Sequence, residues 1–359
     1  MLHRRLSLLA GLLIGCLAMG AYVCPLSPPL ARVLRNISED SLRGNLSFLS
    51  SDVLEGRWTP SPGLEVAADF IASRLRAANI KPGNGESYFQ NATLRTNPPV
   101  AARNVVAILP GSDPKLRDTY VIVSAHYDHI GTLATGKRLT RDKTPINGDS
   151  IFNGANDDGS GTVSVIEIAS AFKKAGYQPR RTVVFLLFCG EELGELGSEY
   201  YTKHPIYPLS RTVADINLEQ LGRSDSDFGK GHASLTGYGY TTLAPLFEGE
   251  AKNSGFTMVR TKSSDAYFED SDNYSFARAG IPDLTFATSF NFPDYHGLKD
   301  EWTKIDFADL VRADRLVTRV IAKVANDRNS PRWHADNPQT EKYRQAEAAR
   351  KAAEGTATR

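Results

Sequence analysis

Tyr120-Val121-Ile122-Val123-Ser124-Ala125-His126-Tyr127-Asp128-His129 is the stretch on which the fold turns. Its front half is apolar and β-branched, as a strand covered on both faces should be. It then runs without a break into residue types that bind metals and move protons. Four other short runs, 104–109, 182–188, 213–218 and 284–287, read as strands in the same way. Helical patterns fall between them at 161–175, 198–203, 241–254 and 307–325. Upstream, 64–78 places Val66, Phe70, Ile71 and Leu75 at helical spacing behind the breakers Pro60-Ser61-Pro62-Gly63, which predicts a surface helix with one buried stripe. Strands alternating with helices predict an α/β class, with helices layered on both sides of a mostly parallel central sheet.

The polar residues after those strands are the informative ones, because ligands of open α/β sheets bind beyond the carboxyl ends of the strands. The first strand leads into His126-Tyr127-Asp128-His129, the 182–188 run into Cys189-Gly190-Glu191-Glu192, and the 213–218 run into Glu219. Asp157-Asp158 sits in a Gly-rich loop directly before a helix, and the last strand precedes Asp294-Tyr295-His296. Each piece alone has an ordinary explanation. A histidine after a strand is commonly a hydrogen-bonded loop residue, and paired acids before a helix commonly cap it. Glu191-Glu192 has the same capping explanation, and Glu219 can be an ion-paired strand end. Their conjunction at one sheet edge is what points to chemistry.

Two divalent ions a few ångströms apart need a carboxylate bridge, imidazole and carboxylate ligands on each side, and open positions for water and substrate. Asp157 suits the bridge. His126 and Glu219 could complete one ion, and Glu192 with His296 the other. Asp128 can accept the remaining ring N–H of His126 and fix its tautomer. Glu191 is left over, placed to take a proton from metal-bound water and hand it to a leaving amine. Tyr295, beside a ligand, is a candidate oxyanion donor, with packed aromatic as its ordinary alternative.

Composition sets the frame. The 359 residues carry 42 Lys+Arg against 41 Asp+Glu, a net charge of +1, so no overall basic footprint for nucleic acid exists. Hydrophobic content of 41% and charged content of 23% fit a globular chain and exclude a polytopic membrane protein. Cys16, Cys24 and Cys189 give no disulfide framework. His3, Arg4 and Arg5 precede an uncharged segment rich in Leu, Ala and Gly, which predicts export, to the periplasm or cell envelope or into the medium. Three forms of that reading stand: cleavage after Gly20, lipidation at Cys16 within Leu13-Ile14-Gly15-Cys16, or an uncleaved anchor. Membrane attachment is expected through this N-terminus only. The organisation expected is a signal over 1–20, a linker over 21–37, a catalytic domain over 38–325 and a polar tail over 326–359. The tail, poor in large aliphatics, reads as an appendage with an exposed helix at 340–354 and nothing to bury.

Together, His126-Tyr127-Asp128, Asn153-Gly154-Ala155-Asn156-Asp157-Asp158-Gly159-Ser160-Gly161, Phe188-Cys189-Gly190-Glu191-Glu192, Ile216-Asn217-Leu218-Glu219 and Tyr295-His296 resemble the co-catalytic dinuclear zinc aminopeptidases, a family that includes bacterial leucyl aminopeptidases and yeast aminopeptidase Y. The resemblance implies a three-layer α/β/α zinc-exopeptidase-like domain, two zinc ions and peptide substrates. By similarity the ligands are His126, Asp157, Glu192, Glu219 and His296, with Glu191 the general base. Ser271-Asp272-Asn273-Tyr274 resembles a family segment on the substrate side of the cleft. The chain departs from the family in carrying Glu219 where Asp is usual, and Asn273 where His is frequent. The same fold hosts glutaminyl cyclases and non-catalytic receptor ectodomains, so a cyclase and an envelope binding module are the alternatives carried forward.

Overall fold

The computed structural model describes residues 27–357. In chain order its strands are β1 (Lys81–Pro82), β2 (Phe89–Leu94), β3 (Val100–Leu109), β4 (Tyr120–His126), β5 (Thr182–Phe188), β6 (Thr212–Leu218), β7 (His232–Leu235), β8 (Thr257–Met258) and β9 (Thr285–Ala287). The α-helices are α1 (Pro28–Asn36), α2 (Glu39–Leu49), α3 (Pro62–Ala77), α4 (Gly161–Lys174), α5 (Leu196–Lys203), α6 (Ala244–Ser254), α7 (Lys262–Ala266), α8 (Asn273–Arg278), α9 (Phe307–Asn326) and α10 (Glu341–Ala357).

Among the described residues the strands form one sheet in the order β1-β3-β5-β4-β6-β9-β7-β8, with β2 on β3. The centre, β5-β4-β6-β9, is parallel, and β3 and β7 join it antiparallel. The β4–β5 register runs unbroken from Tyr120↔Thr182 to His126↔Phe188. Both strands therefore end together, and the His126 arm and the Cys189–Glu192 turn leave the sheet at one edge.

Period-two geometry explains how the strands serve two layers. Val121, Val123 and Ala125 of β4 and Val183, Phe185 and Leu187 of β5 join the large core under α1–α4, α6 and α9. Ile122, Val184, Leu186 and Phe188 point the other way, against Tyr201 of α5 and Phe276 of α8. This is the three-layer α/β/α architecture expected from the alternation of strands and helices. Ser38 opens α2 by accepting the Ser41 N–H, and Ser61 opens α3 by accepting the Leu64 N–H, with Pro62 in the first turn.

Three expectations are corrected. The stripe of α3 is rotated: Leu64, Ala67, Ala68, Ile71, Ala72 and Leu75 are buried, while Val66 is 45% exposed. Small alanines let α3 sit close to its neighbours, a role that spacing of large residues does not reveal. The 21–37 linker holds α1, whose Val33 and Leu34 are buried in the main core, and the Leu34 carbonyl accepts from Arg315. The tail is no appendage: Trp333 and Tyr343 are buried against Tyr240 and Phe268, and Thr340 is buried on the His334 and Asn337 carbonyls. Two aromatics suffice where aliphatics are scarce. The signal, lipid-box and anchor readings at Cys16 and Gly20 fall outside the described residues. No helix among the described residues is long and apolar enough to cross a membrane.

Candidate metal centre

His126 ends β4 and is buried, with its Nε2 facing the cleft. Its Nδ1 lies 3.2 Å from the Asp128 carbonyl oxygen and 3.7 Å from the Asp128 carboxylate. The main-chain oxygen is the closer acceptor, a shift from the carboxylate role expected for Asp128. That carboxylate instead accepts the Glu191 N–H at 3.1 Å and the Thr59 hydroxyl at 3.1 Å, so it ties the β4 exit to the β5 exit.

The acid pair before α4 divides its work. Asp158 accepts the Gly161 N–H at 3.0 Å and the Gln220 N–H at 3.2 Å, which makes it the cap. Asp157 turns toward the cleft, and its own N–H is held at 3.0 Å by Asp300. Gly154, at φ +54°, is required here: a Cβ would lie 2.4 Å from the His129 ring. Glu191 and Glu192 sit in a turn after β5, ahead of α5, so neither caps that helix at its start. Glu219 follows β6. One of its carboxylate oxygens accepts from the Ser271 hydroxyl and, at 3.4 Å, from the Asn217 amide.

His296 adopts φ +52°, an uncommon conformation for a side chain of its size. The Leu139 carbonyl lies 2.9 Å from its Nδ1, which leaves Nε2 for the cleft. Nε2 lies 3.2 Å from Asp157 Oδ2 and 3.1 Å from Glu192 Oε2. On the other side, His126 Nε2 lies 3.5 Å from Asp157 Oδ1 and 3.8 Å from Glu191 Oε2. Asp157 thus presents one oxygen to each histidine. Tyr295, 48% exposed, stacks on the His296 ring at 4.0 Å, so it is neither packed in the core nor remote from the cluster.

Two sets of potential ligand atoms gather within 4.8 Å: His126, Glu191 and Glu219 in one, and His129, Asp157 and Glu192 in the other. The sequence reading singled out all of these except His129, and the structure brings all of them into one cluster with His296. Electrostatics is divided. Burial raises the Asp157 carboxyl, but the close imidazoles of His126 and His296 carry it well below the usual range. Burial likewise opposes Glu192, and His296 and His129 bring it down to about 2 despite Asp157. For Glu191 burial wins: with Glu219, Glu192 and Asp272 adding, it ends well above the usual range against the pull of His126. Glu219 is pushed up to about 7, mainly by burial.

The residues fit a pair of borderline-soft divalent ions. Three imidazoles and several carboxylates are the donor set that zinc favours. Asp157 Oδ2, Glu192 Oε1 and both nitrogens of His129 are buried without a hydrogen-bond partner, although His129 Nδ1 and Glu192 Oε1 approach to 2.8 Å. A close contact that is not aligned for hydrogen bonding is what two ligands of a cation make.

Three residues escaped the sequence reading. His129, fully buried, had a signal in its place beside the His126 motif. Arg57, 1% exposed, donates to the carbonyls of Tyr127, Leu49, Asn153 and Gly154 and so staples three loops beneath the cluster. Burial lowers its pKa to about 10, with Asp128, Asp300, Asp158 and Asp157 opposing. Asp300 holds the N–H groups of Asn156 and Asp157 at 3.0 Å. Neither Arg57 nor Asp300 has a local pattern that announces it. Cys189 is buried, and burial raises its thiol well above the ordinary value, consistent with a packed residue.

The profile of Peptidase family M28 matches residues 104–321, a span that includes every residue singled out for the cluster. The chain belongs to peptidase family M28. A probable zinc metalloprotease of Pyrenophora teres f. teres is 27% identical over 330 residues, covering 84% of this M28 chain and 67% of that protein. A probable zinc metalloprotease of Pyrenophora tritici-repentis is 28% identical over 207 residues, 56% of this chain and 44% of that one. Leupeptin-inactivating enzyme 1 of Streptomyces exfoliatus is 26% identical over 273 residues, 74% and 50% respectively. The chain therefore spans from under half to two thirds of the length of these curated relatives. In fold it matches the LapA aminopeptidase of Legionella pneumophila with a TM-score of 0.63 at 18% identity, over 83% of this chain and 75% of that one. Bacteroides thetaiotaomicron glutaminyl cyclase matches with a TM-score of 0.62 at 19% identity, over 80% and 98%.

Proposed function

We propose that this M28 chain is an exported dinuclear zinc aminopeptidase that removes N-terminal residues from peptides. One observation carries the reading: Asp157 offers one carboxylate oxygen to the His126 side and the other to the His296 side. In this reading His126 and Glu219 would hold one ion and Glu192 and His296 the other, with Asp157 shared between them. His129 is an added contact on Glu192. When bound, the ions supply Lewis acidity that polarises a peptide carbonyl and lowers the pKa of water.

The chain's own groups do the rest. Glu191 Oε2 takes a proton from the attacking water and delivers it to the leaving amine. Burial favours this role, because a carboxylate raised above its usual range binds a proton more strongly. Asp128 and Thr59 hold the turn that carries Glu191. Tyr295 is proposed as a donor to the developing oxyanion. The cluster opens into a cavity of about 700 Å³ whose walls include Tyr267, Phe290, Phe292 and Tyr295, room for an amino-acid side chain and the next residue of a peptide. Export is supported by the basic start and apolar run of the N-terminus.

The test couples metal analysis of the purified chain to a peptide-library cleavage profile. Two zinc ions per chain and single-residue trimming from the amino end are expected. One ion per chain, with ammonia released from N-terminal Gln peptides and no bond cleaved between residues, would instead establish a cyclase. Intact peptides under zinc, cobalt and manganese would leave only a binding module.

A further inference from the structure

We propose that residues 333–350, beyond the end of the family match, are a positioning element that holds the substrate-side wall of the cleft and thereby sets how tightly a peptide is gripped. The proposal rests on the peptidase reading only for the identity of what the cleft takes.

The wall is the short segment 267–271. Tyr267, Asp270 and Ser271 line the cavity that contains His126, Asp157 and Glu191. The residues between them face the other way. Phe268 is buried, and its ring meets Tyr240 at 4.7 Å, Tyr343 at 5.5 Å and Trp333 at 6.4 Å. Trp333 and Tyr343 stack on each other at 4.9 Å. The Glu269 carboxylate accepts from the Tyr343 hydroxyl at 3.0 Å and from Lys342. The two ends of the segment thus face the cleft and its middle faces the tail. On the cleft side its anchors are the Ser271 hydroxyl on Glu219 and the ring of Phe290, 5.7 Å from Tyr267. Asn273 adds a bond from its amide to the Phe268 carbonyl at 3.1 Å.

The tail is fixed independently of the wall. Gly280 has φ +73°, and a Cβ there would lie 2.2 Å from the Glu347 nitrogen, so α10 approaches the α8 exit as closely as two backbones can. Arg350 donates to the Ala279 carbonyl at 3.1 Å and the Leu209 carbonyl at 2.9 Å. The His334 N–H reaches the Tyr240 carbonyl at 2.7 Å, and the Asn337 amide reaches the Gly239 carbonyl at 3.0 Å. Phe268, Tyr240, Ala277, Trp333 and Tyr343 form an apolar cluster separate from the main core. Removing the tail's share uncovers Phe268, and with it the register of Tyr267 in the cleft. The proton-transfer group Glu191 lies on a different element, after β5, and does not touch the tail. The expected signature is therefore a change in KM with kcat preserved.

The test is Tyr343→Ala in the full chain, with Tyr343→Phe as the conservative variant that keeps the ring. For Tyr343→Ala we expect KM for a peptide substrate to rise about tenfold, kcat to change by less than about twofold, and zinc content to stay at the wild-type value. Amide hydrogen exchange over 264–272 should accelerate in the same variant. Tyr343→Phe should restore both readouts to near wild type. Lys342→Glu sets like charge against Glu269 at the surface, removes the ammonium 5.0 Å from the Tyr343 ring but keeps every apolar side chain of the cluster, and should move both readouts in the same direction by a smaller factor. The proposal is overturned if exchange over 264–272 is unchanged in Tyr343→Ala and Lys342→Glu, or if kcat and zinc fall together at constant KM. Should the wild-type chain cleave no peptide, the peptidase reading falls, and the exchange experiment still decides the role of the tail.

Discussion

Two groups of buried acids lie within this one domain, and they behave in opposite ways. Asp157 and Glu192 face imidazoles, and both end below the usual carboxylate range despite burial. Asp215, on β6, and Asp283, just before β9, face a hydroxyl and an amide. Burial pushes Asp215 up to about 8 against the Ser124 hydroxyl and the Ile216 N–H. Asp283 rises well above its ordinary value through burial and the neighbouring Asp215, against the Asn273 side chain. Burial alone therefore makes a carboxyl hold its proton. What sets the first group apart is the company of imidazoles, the nitrogen donors that a candidate metal site needs beside its carboxylates. In the first group burial opposes the charged imidazole, yet Glu192 and Asp157 raise His296 to about 11, the mark of a negative field around its Nε2.

The contrast can be broken most sharply at Glu191, the acid of the cluster proposed to move a proton. Glu191→Gln should lower kcat about 10²–10⁴-fold on an aminoacyl chromogenic substrate while zinc content matches wild type. Turnover within twofold of wild type would remove Glu191 from proton transfer. Arg57→Met should cost about 3–5 kcal/mol in urea unfolding, because four backbone carbonyls lose their donor and the acids around the Asp157 turn lose a buried cation. A loss below 1 kcal/mol would mean that the loops under the cluster hold themselves.

Asp157→Asn and Asp215→Asn then test the two groups against each other by metal analysis. The first should lose at least one zinc per chain and the second none; equal retention would erase the distinction. The smallest effect is a pH dependence. The Asp215 carboxyl moves from an ordinary 3.8 to about 8 on folding, so the folded chain binds a proton that the unfolded chain has released. That group's contribution is most favourable below pH 4, declines as pH rises to about 8, and is flat beyond. Asp215→Asn removes the decline, so the variant should gain stability relative to wild type between pH 4 and 8 in parallel melts. A constant difference across that range would show Asp215 to be ionised in the folded chain.

The sheet was legible because both-face burial leaves an unmistakable apolar run: 182–188 and β5 coincide residue for residue. The five residues expected as ligands stood out because each follows such a run or precedes a helix, and the structure brings their side chains into one cluster. What escaped has a physical reason in each case. Arg57 works through its reach to backbone carbonyls, and a carbonyl has no sequence signature. Asp300 holds N–H groups more than 140 positions away in the chain. β2 and β7 are half-exposed or flanking strands without a continuous apolar run. Trp333 and Tyr343 lie in a tail poor in large aliphatics, and only their packing against Phe268 shows them to be a small core of their own. The M28 match gives the family; the arrangement around Asp157 gives the chemistry a geometry.

His296 hangs from the Leu139 carbonyl, and Leu139 belongs to the exposed rim between β4 and the Asp157 turn. Evolution or a designer can therefore not swap that rim freely to alter the entrance, since any graft must return an oxygen to the same spot or let the imidazole swing. The part of the molecule most open to change at its surface is tethered, by one peptide unit, to the part least able to tolerate it.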